Sequence, residues 1–187
     1  YIPVVSSIVA VSLLWSWIYN GDYGLLNQFI NWAFDIDGPN WLQNEYTVKP
    51  AIIFMCVWRG VGGTALLYLG GLQNLPKSYF EAARIDGANA WTIFTKITWP
   101  LMKPISFYVL ITGIIGSSQQ IVENQMMAPT GGPEYKAATI VFYIWQQAFG
   151  ADRKGFACAA SWVLALIVFA VTAIQFKLSP SSENYLD

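Results

Sequence analysis

The sequence has no histidine, few charged residues and only two cysteines. Because Cys56 and Cys158 both lie inside apolar runs, the missing histidine excludes a Cys/His zinc site, and a disulfide framework is not expected. Charged residues make up 11% of the chain, whereas a soluble domain has about 25%. The net charge of −1 gives no sign of a nucleic-acid partner. A chain that is 55% hydrophobic and so poor in charge is typical of an integral membrane protein.

The sequence also lacks an initiating methionine and any recognisable catalytic motif. It begins at Tyr1 and runs directly into an apolar segment, without the basic region that opens a signal peptide. We therefore expect a piece of a longer protein whose N-terminal part lies outside this sequence. There is no Gly-rich phosphate loop, no Ser-His-Asp set and no metal-ligand cluster. No catalytic residue, metal site or cofactor is predicted.

Four apolar stretches are candidates to cross a membrane, which takes about 20 residues in a helix. They cover residues 2–19, 50–72, 105–127 and 155–176. The third is apolar only in its first half, so hydropathy alone does not assign it as a span. In the polar connection between the first two, residues 24–34 carry apolar side chains at helical spacing, which predicts a short interfacial helix. The pattern predicts an all-α, polytopic membrane protein.

A polar, amphipathic segment, residues 77–104, separates the second apolar stretch from the third. Its composition favours a helix that starts at Glu81, with this acid in the first turn. Asp86-Gly87 breaks that helix, because glycine adopts the positive φ that a tight turn needs. A second short amphipathic helix follows, and Pro100 and Pro104 are expected to end it. Residues 77–104 are therefore predicted to form a helix-turn-helix projection, named the finger below.

The spacing within the finger resembles the EAA loop of ABC-importer permeases. The family pattern is E-A-A, three residues, G, nine residues, then I-x-L-P, and it is matched by Glu81, Ala82, Ala83, Gly87, Ile97 and Pro100. Trp99 stands where leucine is usual. The longer match through Asp86 and Ala88 looks like the carbohydrate importers, in particular the subunit similar to the larger maltose permease chain. The T-G-G-P loop at residues 130–133 also looks like the T-G-G-x-P loop of sugar permeases, one residue shorter.

The resemblance implies roles for the residues of the finger. In that family the finger docks into a cleft of a separate ATPase subunit. Glu81 would offer a carboxylate to a basic residue there, and Gly87 would hold the bend. The apolar members of the set would pack at the contact, namely Ala82, Ala83, Ala88 and Phe94. The predicted coupling set is Glu81, Ala82, Ala83, Asp86, Gly87, Ala88 and Phe94.

The resemblance also implies the organisation of the whole transporter. The chain would supply the last four spans of a six-helix permease core, with two spans ahead of Tyr1 and the finger on the cytoplasmic side. Its expected partners are a second homologous permease, two ATPase subunits, an extracytoplasmic solute-binding protein and a sugar. The protein would lie in a bacterial or archaeal cytoplasmic membrane. It would not be an enzyme, because a separate subunit hydrolyses ATP to drive alternating access.

Arg59 is a charged residue inside an apolar stretch, where its burial costs about 3 kcal/mol or more. It is interpreted either as a hydrogen-bond donor in the substrate path or as the partner of Glu123 in an ion pair that fixes helix packing. Both interpretations remain open from the sequence.

Four residues of the third stretch recur at i, i+4, i+7 and i+11, which places them on one face of a helix. They are Gly113, Ser117, Gln120 and Asn124. Ser, Gln and Asn supply the donors and acceptors that sugar hydroxyls need. The same residues also serve as hydrogen-bonding contacts between helices. The predicted substrate path comprises Arg59, Gly60, Gly113, Ser117, Gln120, Glu123 and Asn124.

Two other functions are compatible with parts of the sequence. The first is an ABC importer for a solute other than a sugar, against which the D-G-A and T-G-G-x-P matches weigh. The second is a membrane enzyme that uses Arg59 and Glu123, and co-purification of an ATPase subunit would discriminate it from a transporter. The favoured function is import of sugars, with an oligosaccharide as the expected substrate.

Overall fold

The computed structural model describes residues 2–178, and the regular elements in that range are helical. The α-helices are α1 (Ile2–Val5), α2 (Ile8–Ile18), α3 (Leu25–Phe34), α4 (Val48–Gln73), α5 (Lys77–Ile85), α6 (Ala90–Ile93), α7 (Trp99–Leu101), α8 (Lys103–Ser118), α9 (Val122–Met127), α10 (Ile140–Trp145) and α11 (Lys154–Leu178). Phe94–Thr98 and Gln146–Gly150 form π turns, and Pro133–Tyr135 forms a 3-10 turn. The all-α prediction is confirmed for these residues. The remainder of the predicted domain, Tyr1 and residues 179–187, lies outside them.

The first apolar stretch, residues 2–19, is not one continuous helix as expected. It breaks at Ser6 and Ser7, where Ser7 has an extended backbone with φ −57° and ψ 131°. The Ser6 hydroxyl donates to the carbonyl of Ile2 at 3.1 Å, a local bond that competes with helix continuation. The two pieces pack on different partners, since α1 contacts α4 and α2 contacts α9.

Two helices within residues 2–178 are each long and apolar enough to cross a membrane alone, α4 and the Lys154–Lys177 part of α11. They match the predicted stretches 50–72 and 155–176 to within two residues at each end. Large apolar side chains along both helices, among them Trp162 and Phe169, are exposed. Apolar surfaces of this length, exposed on the protein, are typical of helices that contact the lipids of a bilayer.

The third apolar stretch, residues 105–127, is broken where one span was expected. Helix α8 ends at Ser118, residues 119–121 are unwound, and α9 begins at Val122. At its other end α8 meets the second half of the finger at a bend of 60° around Met102. Together the segments on either side of this bend are a third candidate span. The unwound residues 119–121 are named the polar break.

The buried core lies at one end of the long helix α4. Val48, Ala51 and Met55 on the first turns of α4 pack with Val11 on α2 and Met127 on α9. With 26 residues, α4 is about 39 Å long at 1.5 Å per residue. Since the finger follows the far end of α4, it projects from the opposite end of the molecule to this core.

Candidate functional site

The turn of the finger has the geometry that the sequence predicts. Helix α5 ends at Ile85, and Gly87 adopts a φ of +75°. The Ala88 N–H donates to the Ala83 carbonyl at 2.9 Å, which closes the turn. Asn89 then caps α6, because its side chain accepts from the Thr92 N–H at 2.8 Å. The predicted break at Asp86-Gly87 is confirmed.

The start of α5 differs from the prediction. The helix begins at Lys77, with Pro76 as its N-cap residue, so Glu81 lies in the second turn rather than the first. The physical reason is that Pro76 sets the φ that leads into a helix and needs no backbone donor there. The helix dipole stabilises an acid most strongly in the first turn. Glu81 lies beyond that turn and gains less from it.

Most of the predicted coupling set faces outward. Within residues 2–178, Glu81 forms no ion pair, and it is exposed together with Ala82 and Asp86. The exceptions are Ala83, which is buried, and Ala88, which is half-buried.

The finger also exposes large apolar side chains. Ile85 is 86% exposed and Trp91 is 72% exposed, with Phe94 next to Trp91 at 5.9 Å between ring centroids. Exposed aromatic and aliphatic groups beside a free carboxylate make up a surface suited to binding another protein. The sequence analysis did not include Ile85 and Trp91 in the coupling set.

Pro100 and Pro104 do not end the second helix of the finger, contrary to the prediction. The Trp99 N–H bonds the Phe94 carbonyl five residues back, which is a π turn. Pro100 then stands in the first turn of α7 and Pro104 in the first turn of α8, where a missing N–H is tolerated. The helix changes direction at Met102 instead.

The base of the finger is close-packed against the end of α4. A Cβ atom added to Gly71 would lie 1.9 Å from Ile105 Cδ1 and 2.9 Å from Met102 Cε. A side chain at position 71 would therefore require the ends of the Ile105 and Met102 side chains to move. Local sequence patterns do not indicate this contact, because the three residues are brought together only by the turn of the finger.

Arg59 and Glu123 do not form the ion pair that was one of the two predictions. Among the ion pairs of residues 2–178 this one is absent, and the Arg59 Nε atom is buried without a hydrogen-bond partner in the same range. Glu123 is only 6% exposed on α9. Gly60, next to Arg59, has open space around its Cα.

The polar residues of the third stretch do not share one helix face, because the helix is interrupted between them. Gly113 and Ser117 are exposed on α8, Gln120 lies in the polar break, and Asn124 is 2% exposed on α9. The expectation of one continuous face is therefore wrong.

Hydrogen bonds from other elements explain the interruption. The Gln120 carbonyl accepts from the Thr139 hydroxyl at 2.7 Å, and its side-chain oxygen lies 3.8 Å from the Cys56 thiol, within hydrogen-bonding range. The Asn124 amide donates to the Ala137 carbonyl. Asn124 thus holds the chain together, whereas Gly113 and Ser117 are exposed on α8, where the Ser117 hydroxyl donates to the Ile114 carbonyl at 3.0 Å.

A buried amide that the sequence analysis did not single out organises the connection between α2 and α4. Asn27 on α3 accepts from the Trp41 indole at 2.7 Å. Its amide nitrogen lies 2.9–3.2 Å from the carbonyls of Gly21, Gly38 and Pro39. These bonds bring both ends of the connection together. In the sequence, Asn27 is the last residue of the segment N-x-x-Y-G-L-L-N, residues 20–27. This segment is the feature that could have indicated a structural role for Asn27.

A cavity of ≈ 460 Å³ opens at the core end of the molecule, far from the finger. It is named the mouth cavity. Its wall comes from the end of α2, the connection before α4, and the loop after α9. The lining residues are Ser16, Tyr19, Asn20, Asn40, Leu42, Gln43, Met127, Ala128, Pro129, Thr130, Gly132 and Pro133.

An ion pair joins the loops near this cavity. Lys136 donates to the Glu45 carboxylate and has a second acid, Glu134, at 3.6 Å. The hydrogen bond from Lys136 lowers the pKa of Glu45, and the same bond raises the pKa of Lys136. The charges of Lys136 and Glu45 are thereby balanced within the loops.

The sequence of this bundle, finger and broken helix has known relatives. A family model described as "Binding-protein-dependent transport system inner membrane component" matches residues 1–183. The chain belongs to this family. The family places the chain in an inner membrane and agrees with the resemblance that the finger motif indicated.

Individual relatives agree with the family. The arabinooligosaccharides transport system permease protein AraP of Bacillus subtilis (strain 168) is 33% identical over 181 residues, which cover 97% of this chain and 58% of AraP. The sn-glycerol-3-phosphate transport system permease protein UgpA of Escherichia coli (strain UTI89 / UPEC) is 29% identical, over 98% of this chain and 62% of UgpA.

A solved structure has the same fold. It is the crystal structure of a bacterial ABC transporter involved in the import of the acidic polysaccharide alginate. The TM-score is 0.78 at 24% identity, over 96% of this chain and 64% of that one. The chain thus spans about three fifths of the length of these relatives.

Proposed function

We propose that the protein is a transmembrane permease subunit of an ATP-driven, binding-protein-dependent importer of sugars. It would not itself be an enzyme. Its partners would be a second homologous permease, two ATPase subunits and an extracytoplasmic solute-binding protein, in a bacterial or archaeal cytoplasmic membrane. The observation that carries the proposal is the exposed finger, with Glu81, Ile85 and Trp91 on its surface, in a chain of this family.

The proposed mechanism is alternating access driven through the finger. The coupling set would bind an ATPase subunit at the cytoplasmic end of the molecule. Movement of the finger would reach α8 through the bend at Met102, since α8 packs on both α4 and α11. Helix α8 carries Gly113 and Ser117 and leads to the polar break, so its displacement would open or close a path lined by these residues.

The proposed arrangement in the membrane has four spans, residues 2–19, 50–72, 105–127 and 155–176, with the finger in the cytoplasm. The length and apolar surface of α4 and α11 support two of these directly. The bent pair of α6–α7 and α8 supports the third, displaced toward the finger. Helices α1 and α2, broken at Ser6 and Ser7, would together form the first.

An oligosaccharide is the proposed substrate. The support comes from AraP, which is named for the transport of arabinooligosaccharides, and from the D-G-A and T-G-G-P sequences of this chain. UgpA favours a second candidate, because it is named for a small phosphorylated solute, sn-glycerol-3-phosphate. An importer of a solute that is not a sugar therefore remains the alternative.

The test uses the complete transporter. The full-length permease is purified from membranes with its co-expressed partners, reconstituted in liposomes and supplied with the solute-binding protein. We expect an ATPase subunit to co-purify and saccharide uptake to require both ATP and the binding protein. Co-purification without any saccharide uptake, but with ATP-dependent uptake of glycerol-3-phosphate, would favour the alternative. A permease that binds no ATPase subunit would contradict both.

A further inference from the structure

The mouth cavity lies where a solute would first meet the protein. It adjoins the core end of α4, about 39 Å along the helix axis from the base of the finger. If the finger is cytoplasmic, the cavity opens on the extracytoplasmic side. Its volume of ≈ 460 Å³ falls within the range of about 300–1,000 Å³ that is typical of small-molecule sites.

The lining of the mouth cavity is polar, and the described residues contribute no Asp, Glu, Lys or Arg to it. Hydroxyl and amide groups come from Ser16, Asn20, Asn40, Gln43 and Thr130. They offer both donors and acceptors. Apolar surfaces from prolines, leucine and methionine lie between them. This combination matches a saccharide, whose hydroxyl groups need hydrogen bonds and whose ring C–H faces need apolar contact.

Three of these polar side chains are exposed and are bonded to no other protein group within residues 2–178. Ser16 and Asn20 are already bonded to the backbone of the same protein. By contrast, the side chains of Asn40, Gln43 and Thr130 make no hydrogen bond within residues 2–178. They come from opposite walls of the cavity, the connection before α4 and the loop after α9.

Both walls are held in place without a ligand. Asn27 fixes the first wall through its bond to the Pro39 carbonyl, next to Asn40. In the second wall, Gly131 and Gly132 have φ of +85° and +76°, and the Ala137 N–H donates to the Gly131 carbonyl at 2.9 Å. A pre-formed site loses little conformational freedom on binding.

The charge balance beside the cavity decides between neutral and acidic sugars. Lys136 follows the lining residue Pro133 by three positions, but it is bonded to Glu45 and lies 3.6 Å from Glu134. An acidic sugar would find no cation in the lining, whereas a neutral sugar needs none.

Resting on the proposed function, we propose that the mouth cavity binds uncharged sugar units of an oligosaccharide before they reach the path between the helices. The site acts through hydrogen bonds from Asn40, Gln43 and Thr130. It is separate from the predicted path residues Arg59, Gly113 and Ser117. It would contribute most to substrates long enough to occupy the cavity and the path together.

The experiment compares variants in the reconstituted transporter. Uptake is measured for neutral arabinan, malto- and cello-oligosaccharides of two to six units, and for uronic acid oligomers of equal length. The variants are Thr130→Val, which keeps the shape but removes the hydroxyl, and Gln43→Ala. The matched control is Gln28→Ala, an exposed amide on α3 outside the cavity. Capture of the solute-binding protein is measured in parallel.

We expect Thr130→Val and Gln43→Ala each to raise the KM for the longest neutral oligosaccharides about three- to tenfold. Disaccharide uptake, capture of the binding protein and the Gln28→Ala variant should match the wild type. Loss of binding-protein capture would overturn the proposal, because the cavity would then be a protein-docking surface. Unchanged KM in both variants, or an equal change at every length, would also overturn it. Failure of the proposed function is distinguishable, since the wild type would then take up no saccharide at all.

Discussion

Gly71 on α4 and Ile105 on α8 approach so closely that a Cβ on Gly71 would lie 1.9 Å from Ile105 Cδ1. This contact fixes α8 against α4 directly beside the bend at Met102. Because α8 is the element that joins the finger to the polar break, the contact sets the position of the finger relative to the helices. A larger residue at position 71 would force the side chains of Ile105 and Met102 out of their observed positions.

Gly71→Val is therefore expected to destabilise the protein by about 1–3 kcal/mol through overpacking. The measurement is the thermal unfolding midpoint of the purified permease in detergent. Gly70→Ala is the matched control, because a Cβ at Gly70 meets nothing within 4 Å, and it should leave the midpoint unchanged or slightly raised. Ile105→Ala should restore much of the loss when combined with Gly71→Val. Equal midpoints for Gly71→Val and Gly70→Ala would show that the contact is not restrictive.

Glu81→Lys tests the carboxylate on the finger. Since Glu81 is exposed and has no ion pair within residues 2–178, its replacement should leave folding intact. We expect ATP-driven uptake to fall at least tenfold while the ATPase activity no longer responds to the solute-binding protein. Lys77→Glu, an exposed change of the same size in the first turn of α5, is the control and should keep most uptake. Wild-type uptake with normal ATPase binding in Glu81→Lys would exclude this role.

Gly87 tests the turn of the finger. Its φ of +75° is open to glycine but strained for other residues, and proline is restricted to negative φ. Gly87→Pro should uncouple ATP hydrolysis from uptake, and Gly87→Ala should do so partly, while both proteins still insert into the membrane. Gly70→Ala, in a helical position of α4 outside the predicted path with nothing within 4 Å of the added Cβ, is the control for adding a methyl group. Full coupling in Gly87→Pro would contradict the observed turn.

The ion pair of Glu45 and Lys136 predicts a dependence on pH. The bond from Lys136 lowers the pKa of Glu45 from its usual 4.5, so this carboxylate stabilises the loops fully above pH 4.5 and less as the pH falls through the lowered value. The pKa of Lys136 is raised from 10.5, so its contribution is complete below that pH and is lost only in stronger alkali. The loops should therefore loosen in acid and not near neutrality.

Hydrogen exchange of residues 128–139, corrected for the intrinsic rate, measures this loosening between pH 3 and 7. Exchange should rise in acid in the wild type. Glu45→Gln should show the faster exchange at every pH, without the acid step. Glu134→Gln is the control, because Glu134 is the more distant and more exposed partner of Lys136, and it should keep the step. An acid step that persists in Glu45→Gln would assign it to another group.

Local sequence signals predicted the elements that depend on neighbouring residues. Helix α3 was expected at residues 24–34 and is found at Leu25–Phe34. The long apolar helices α4 and α11 and the turn at Gly87 also lie where the sequence predicts them. Apolar periodicity is sufficient to predict these helices, and a glycine that can adopt positive φ is sufficient to predict the turn. The interactions that form each element lie within a few residues.

The break at Ser6 and Ser7 and the start of α5 are decided by neighbouring residues, but the other failures depend on contacts between distant segments. The helix breaks at the polar break because Thr139, 19 residues later, donates to the Gln120 carbonyl. The close contact of Gly71 with Ile105, and the mouth cavity, likewise join segments far apart in sequence. Hydropathy and periodicity describe one segment at a time, so they do not reveal which polar groups another segment satisfies.

The role of Arg59 is also testable, because the structure removes one of the two interpretations that the sequence allowed. The sequence left open an ion pair with Glu123, which would neutralise the guanidinium. That pair is absent among residues 2–178, and the Arg59 Nε atom lacks a hydrogen-bond partner there. A buried donor without a partner is costly, about 1–3 kcal/mol. Since Arg59 as a whole is only half-buried, a ligand would bond the guanidinium at its other nitrogens rather than at Nε.

We expect Arg59→Gln to reduce uptake of neutral oligosaccharides about three- to tenfold, which corresponds to one hydrogen bond to a sugar hydroxyl. Uptake is compared with uronic acid oligomers of the same length in the reconstituted transporter. Lys49→Gln, an exposed cation in the first turn of α4, is the control and should not change uptake. Loss of the acidic substrate alone would instead define an anion site and contradict a neutral substrate. Unchanged uptake of both would remove Arg59 from the path, because a donor bonded to the substrate is not replaced by a shorter amide without loss.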